Sequence, residues 1–268
     1  MGEAKISREA EEWFDGARRV LFVHAHPDDE TIVTGGTLAA LAAVGRSPAL
    51  VTLTRGERGE VVPGPFAPLQ GTTGLGPHRE AELAAACALL SIEDHAFLGR
   101  PPARAAGLEP RVYEDSGMEW GPDGWAVAAP DAPPSALTRA PAVEALNDLL
   151  ALADEWGVDA VVSYDERGGY GHPDHVFAHR AARAVAHGLE LPFWEVLAPE
   201  GAPGSSHDEL VRASSEVHDV EPWIEQKLAA LRAHATQVTV EGALDNTEIV
   251  HVGGQREPVG RIEGFRRR

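Results

Sequence analysis

Two short apolar runs, residues 20–23 and 159–164, each break off at a turn rich in histidine, aspartate and glycine, and a helical stretch follows each turn. A chain that repeats strand, polar turn and helix in this way is committed to an α/β layer architecture. The runs are mostly apolar rather than alternating, as expected of buried strands. The rest of the chain continues the pattern. Residues 37–44 read as helix closed by Gly45, 49–53 as strand, and 78–90 as helix on the spacing of Leu83, Ala86, Cys87 and Leu90. A strand at 95–98, a helix at 142–156, a helix at 176–186, a strand at 192–197 and a helix at 221–235 follow. The Pro- and Gly-rich stretch 99–141 has no sustained period and reads as a long loop rimming the site. The expected fold is a Rossmann-like, mostly parallel sheet with helices on both faces, whose ligands sit beyond the carboxyl ends of the strands.

The 268 residues fit one domain, with a core over about 18–200 and a C-terminal helix and weakly patterned extension over about 201–268. No internal repeat is visible. With 42 acidic against 23 basic residues the net charge is −19, which repels a nucleic-acid backbone and an anionic membrane surface. The one dense basic run, Arg266, Arg267 and Arg268, reads as a solvated end. Cys87 stands alone, so no intrachain disulfide forms. Residues 1–19 lack an apolar core, and no run approaches the 18 or so apolar residues of a membrane helix. These features predict a cytoplasmic protein with no nucleic-acid or membrane partner, and they leave a homo-oligomer open.

The chemistry lies in His26-Pro27-Asp28-Asp29-Glu30, after the first run, and Gly168-Gly169-Tyr170-Gly171-His172-Pro173-Asp174-His175, after the other. A zinc-type ion takes imidazole and carboxylate ligands at about 2.0–2.2 Å and, in catalysis, keeps one position for water. His26, Asp29 and one histidine of the second motif would supply three ligands, with His172 and His175 both open at this point. If the turn runs into a helix, His26 and Asp29 share a face and Asp28 points elsewhere, free to act as general base. The remaining histidine is a candidate acid for the departing amine, Asp174 a candidate to orient an imidazole, and Tyr170 a candidate donor to an oxyanion. Each motif alone reads better as a capped, solvated turn. Two of them at strand ends of one α/β pattern point to a site.

Weaker candidates surround these. His24 and His179 read as supporting or core histidines, and residues 55–60 read as either a ligand loop or a charged turn. Arg79, Glu114 and Asp115 are candidates to grip sugar hydroxyls, though charges in loops are common. The six tryptophans are scattered in sequence and define no stacking platform.

On His26-Pro27-Asp28-Asp29-Glu30 and His172-Pro173-Asp174-His175 the chain resembles the LmbE/PIG-L-like metal-dependent deacetylases. The resemblance extends to residues 56–60, 115–118 and 234–237, and is strongest to the branches of mycothiol biosynthesis that deacetylate N-acetylglucosaminyl-inositol or cleave mycothiol conjugates. It implies one Zn2+ per chain, with Fe2+ as the alternative, on His26, Asp29 and His175. It further implies Asp28 as general base, His172 and Tyr170 stabilising the transition state, and Arg79, Asp115 and Glu60 contacting an N-acetylated sugar or glycoside. Other readings are a conjugate amidase, a deacetylase of another glycoside, and a non-catalytic metal-binding α/β module.

Overall fold

The computed structural model describes residues 6–198 and 206–268. In chain order its strands are β1 Ile6–Ser7, β2 Val20–His24, β3 Ala49–Thr52, β4 Asp94–Phe97, β5 Met118–Trp120, β6 Ala126–Ala128, β7 Ala160–Tyr164, β8 Phe193–Val196, β9 Glu216–Asp219, β10 Val238–Glu241, β11 Glu248–His251, β12 Arg256–Pro258 and β13 Ile262–Arg267. The helices are α1 Asp29–Ala43, α2 Leu75–Leu90, α3 Ala142–Trp156, the single turn α4 Gly168–Gly171, α5 Pro173–Gly188, α6 His207–Ala213 and α7 Ile224–Ala233. Eight strands form one sheet in the order β1-β9-β13-β8-β7-β2-β3-β4, parallel except where β13 pairs with its neighbours.

Both faces of this sheet are covered, and the period of the strands decides which side chain goes where. In β2, Leu21 and Val23 pack with Leu149 and Leu152 of α3 and Ala182 and Val185 of α5. Val20 and Phe22 point the other way, onto Leu38 and Leu41 of α1 and Leu83 and Leu90 of α2. The predicted α/β sheet with helices on both faces is thus the observed one. β2 and β7 lie side by side, so the turns after both open at the same carboxyl edge. The two motifs meet there because the strands pair.

Four expectations are corrected. The first helix starts at Asp29, not residue 37; Gly35 and Gly36 dilute its sequence pattern. Gly36 is needed because a Cβ there would lie 2.4 Å from Cβ of Val220. The stretch 99–141 contains the antiparallel hairpin β5–β6 and is anchored in the core by Tyr113, whose hydroxyl donates to Asp148 at 2.7 Å. The C-terminal extension is not peripheral: β13 is inserted between β8 and β9, with Phe265 fully buried. Nor do the terminal arginines end in solvent without partners. Arg266 and Arg268 pair with the buried Glu195 at 2.6 and 2.9 Å, and Arg267 pairs with Asp15. Residues 234–259 form a small three-stranded sheet, β10-β11-β12, packed on α7. Among the described residues no helix is long and apolar enough to cross a membrane.

Because β13 completes the sheet from the far end of the sequence, Phe265→Ala should lower the unfolding free energy by about 3–5 kcal/mol. Urea unfolding would measure it, and a loss below about 1 kcal/mol would show the strand to be dispensable.

Candidate metal centre

β2 ends at His24, and the next residues turn sharply into α1. Asp28 takes φ 118° and ψ −37°, a conformation strained for any residue with a Cβ. Its carbonyl accepts the first helical N–H groups, from Thr31 and Ile32, so the turn and the helix are one unit. Its own N–H donates to Glu30 Oε2 at 2.9 Å, and Glu30 Oε1 lies 2.8 Å from His234 Nε2. Glu30 and His234 are both fully buried. Arg79, 3% exposed, donates to the carbonyls of Pro27 and Gly56 and stands 3.3 Å from Asp28 Oδ1. The strain is therefore held from two sides.

Three donor atoms converge beyond this turn. His26 Nδ1 and Asp29 Oδ2 are 3.3 Å apart, His175 Nε2 and Asp29 Oδ2 3.3 Å, and His175 Nε2 and His26 Nδ1 3.2 Å. A tetrahedral ion with bonds of about 2.0 Å requires ligand separations of about 3.3 Å. The remaining hydrogen bonds fix which nitrogen is free. His26 Nε2 faces Asp174 Oδ2 at 3.2 Å and His175 Nδ1 faces the Gly168 carbonyl at 3.2 Å; both partners only accept, so the protons sit there. The lone pairs of His26 Nδ1 and His175 Nε2 are left for the triangle. Asp29 Oδ2 is steadied by the His26 N–H at 2.9 Å and the Tyr164 hydroxyl at 2.7 Å. Tyr164 in turn accepts from Ala25 N–H and stacks on the His175 ring, centroids 4.1 Å apart. A second set of donor atoms, on His26, Asp115, His172 and Asp174, falls within 4.8 Å of one another. These His and Asp groups can hold a metal ion.

The electrostatics match. Burial works against ionising Asp29, but His175 and His26 overcome it and hold its carboxyl well below the ordinary range. Burial alone would lower His26, yet Asp115, Asp174 and Asp29 raise it well above its usual value, the field a divalent cation would find. Burial pushes Asp28 up to about 6 against the pull of Arg79. His172 accepts the Asp174 N–H on Nδ1 at 3.2 Å, capping α5, which places its proton on Nε2. Burial, then the imidazoles of His26 and His175, push it down to about 2, so this ring is a neutral donor.

The other expected residues separate. Tyr170 lies over the site, its ring 5.2 Å from that of His175. Asp115 is buried, its Oδ1 3.7 Å from His26 Nε2, and its N–H donates to Glu57. Arg79 is held against the Asp28 turn by its bonds to the Pro27 and Gly56 carbonyls. Glu60 is exposed, and its carboxylate makes no hydrogen bond or ion pair among the described residues. His24 Nε2 binds Thr34 Oγ1 and His179 Nδ1 binds the Tyr164 carbonyl, so both support the strands. Sequence reasoning missed Tyr164, Glu30 and His234 as builders of the site. Glu30 closes the first motif, but its partner lies 204 residues on.

Residues 21–186 match the PIG-L family, described as GlcNAc-PI de-N-acetylase. The chain is similar to 1D-myo-inositol 2-acetamido-2-deoxy-α-D-glucopyranoside deacetylase of Nocardioides sp. strain JS614, with 38% identity over 84% of this chain and 85% of that protein. The protein of the same name from Kineococcus radiotolerans is 39% identical over 86% of this chain and 72% of its own length. Among solved structures, the zinc-inhibited form of teicoplanin deacetylase Orf2 shares the fold, with a TM-score of 0.55 at 21% identity over 81% of this chain and 84% of that one. With its two histidine–aspartate turns joined at one sheet edge, this chain belongs to the PIG-L family of de-N-acetylases.

Proposed function

We propose that this chain hydrolyses the acetamide of a GlcNAc-containing glycoside, with N-acetylglucosaminyl-inositol as its substrate and a Zn2+ ion on His26, Asp29 and His175. One observation carries the reading: three correctly spaced donor atoms, their tautomers fixed, beside a carboxyl group whose proton affinity is tuned to about 6. The names of the two relatives support the substrate. A two-His, one-Asp set also accepts Fe2+.

A bound metal supplies Lewis acidity, bringing water toward ionisation near neutral pH and polarising the amide carbonyl. The protein's own groups do the rest. Asp28 takes the proton of the attacking water, and the same carboxyl, ordinarily protonated only in acid, is raised enough to pass that proton to the departing amine. His172, neutral down to low pH, is a poor acid and a good Nε2–H donor to the developing oxyanion, with the Tyr170 hydroxyl as a second donor. On this reading one carboxyl acts twice, in place of a histidine acid. Asp174 keeps the His26 imidazole in its working tautomer and receives the Ser116 N–H at 2.9 Å.

Amine release from N-acetylglucosaminyl-inositol should be fast with metal, lost after chelation and restored by Zn2+ or Fe2+; inactivity of the metal-loaded protein on this substrate overturns the assignment, and activity on a mycothiol conjugate alone makes it an amidase. Asp28→Asn should cut kcat by about 10²–10⁴-fold while metal content stays at the wild-type level. Because the base works only when ionised, kcat/KM of the wild type should rise with pH through about 6. A profile flat from pH 5 to 7 would remove Asp28 from that role. Tyr164→Phe, which strips the hydroxyl from Asp29 and leaves the Ala25 N–H unpaired, should weaken metal affinity about 10–100-fold in a chelator competition.

A further inference from the structure

Two of the tryptophans that look scattered in sequence are gathered beside the metal centre. Asp115 and Ser116 are buried against His26 and Asp174, and the chain leaves them through Gly117, at φ +67°, into the hairpin β5–β6. The hairpin returns to the site: a Cβ on Gly171 would meet the Ala126 carbonyl at 3.0 Å and the Trp125 ring at 3.4 Å. It is thus packed directly on the turn that carries Tyr170. Trp120 pairs across the hairpin with Ala126, and its ring lies 5.8 Å from that of Tyr170, which itself lies 5.2 Å from His175. A row of rings therefore leads outward from the metal ligands. The protein leaves its outer members uncovered: Trp120 is 57% exposed, Tyr170 45% and Trp125 38%.

Large aromatic side chains held open to water at the rim of a polar catalytic centre ask for a partner that is part apolar. With the N-acetyl group at the donor triangle, this open row of rings offers one path along which the rest of the substrate can lie. We propose that Trp120, beside Tyr170 and on the hairpin that also carries Trp125, forms an aromatic subsite that stacks on the ring borne at the anomeric position of the N-acetylated sugar, the inference resting on the deacetylase reading above. The ligand class is a glycoside whose second ring, cyclitol, sugar or aryl, presents a flat face of C–H or π atoms. Arg167, whose guanidinium lies 5.3 Å from the Trp125 ring centre, braces the outer indole. A free monosaccharide would engage the metal centre and miss Trp120.

The test compares kcat/KM for phenyl 2-acetamido-2-deoxy-α-D-glucopyranoside with that for N-acetylglucosamine, using the metal-loaded full chain. The wild type should favour the phenyl glycoside, chiefly through KM. Trp120→Ala should shrink that preference by roughly three- to tenfold, and Trp120→Phe should keep most of it. An equal ratio in wild type and Trp120→Ala, or a Trp120→Ala loss that falls equally on both substrates, overturns the subsite while leaving the deacetylase reading intact. No turnover of either substrate by the wild type overturns both. A wild-type dimer in sedimentation that Trp120→Ala converts to monomer would make the patch an interface between copies, which also overturns the proposal.

Discussion

One carboxylate oxygen organises the site. Asp29 Oδ2 receives the His26 N–H and the Tyr164 hydroxyl, and it faces a nitrogen of His26 and a nitrogen of His175, all within 3.3 Å. An oxygen this crowded cannot be left uncharged or turned away without stranding several buried donors, which makes its position over-determined. It is also the point where both strand ends are tied together. Tyr164 closes β7, His26 follows β2, and the two strands are neighbours in the sheet. Sheet order and ligand geometry are thus one constraint: a different strand between β2 and β7 would take His175 out of reach of Asp29.

How far the sequence reveals this depends on whether partners are close in the chain or only in space. The two motifs were legible because their residues are contiguous and sit at the ends of apolar runs, and the parallel sheet followed from the strand and helix alternation. His26, Asp29 and His175 were accordingly brought together as expected. Tyr164 was not legible as a site residue, since a lone tyrosine ending a strand looks like core until Asp29 is seen opposite it. His234 sits after a helix with no neighbour of metal-ligand spacing, and only the fold brings it to Glu30. β13 was hidden for a different reason. It holds only two large apolar side chains, Ile262 and Phe265, among Glu263, Arg266 and Arg267, and its charges are absorbed by Glu195 and by the buried pair of Glu263 with Lys227, partners no local pattern announces.

The buried groups around Asp28 make sense as restraints on a strained residue. At φ 118° the backbone there stores energy, and the structure keeps it by satisfying the Asp28 N–H through Glu30 and by placing Arg79 against its side chain. Glu30 is itself an expensive group to bury, and it is stabilised by His234, whose pairing more than offsets the cost of removing the imidazole from water. The last third of the chain therefore contributes to the base without touching substrate. It supplies the counter-ion that lets the turn hold its shape.

Burial acts in opposite directions on Asp28 and His172, the two groups proposed above to handle protons. It raises Asp28, an acid whose charged form is penalised, and lowers His172, a base whose charged form is penalised. Burial, the largest cause of both shifts, thereby favours a carboxyl that carries a proton toward neutrality and an imidazole that stays neutral. Letting water into the cleft would undo both at once, drawing the two values back toward their ordinary ranges, where the carboxyl would hold its proton too weakly and the ring would begin to charge beside the metal ligands. The hairpin and the Tyr170 turn, which pack on each other at Gly171, therefore bear on both groups through the burial they provide, even where they never meet a reacting atom.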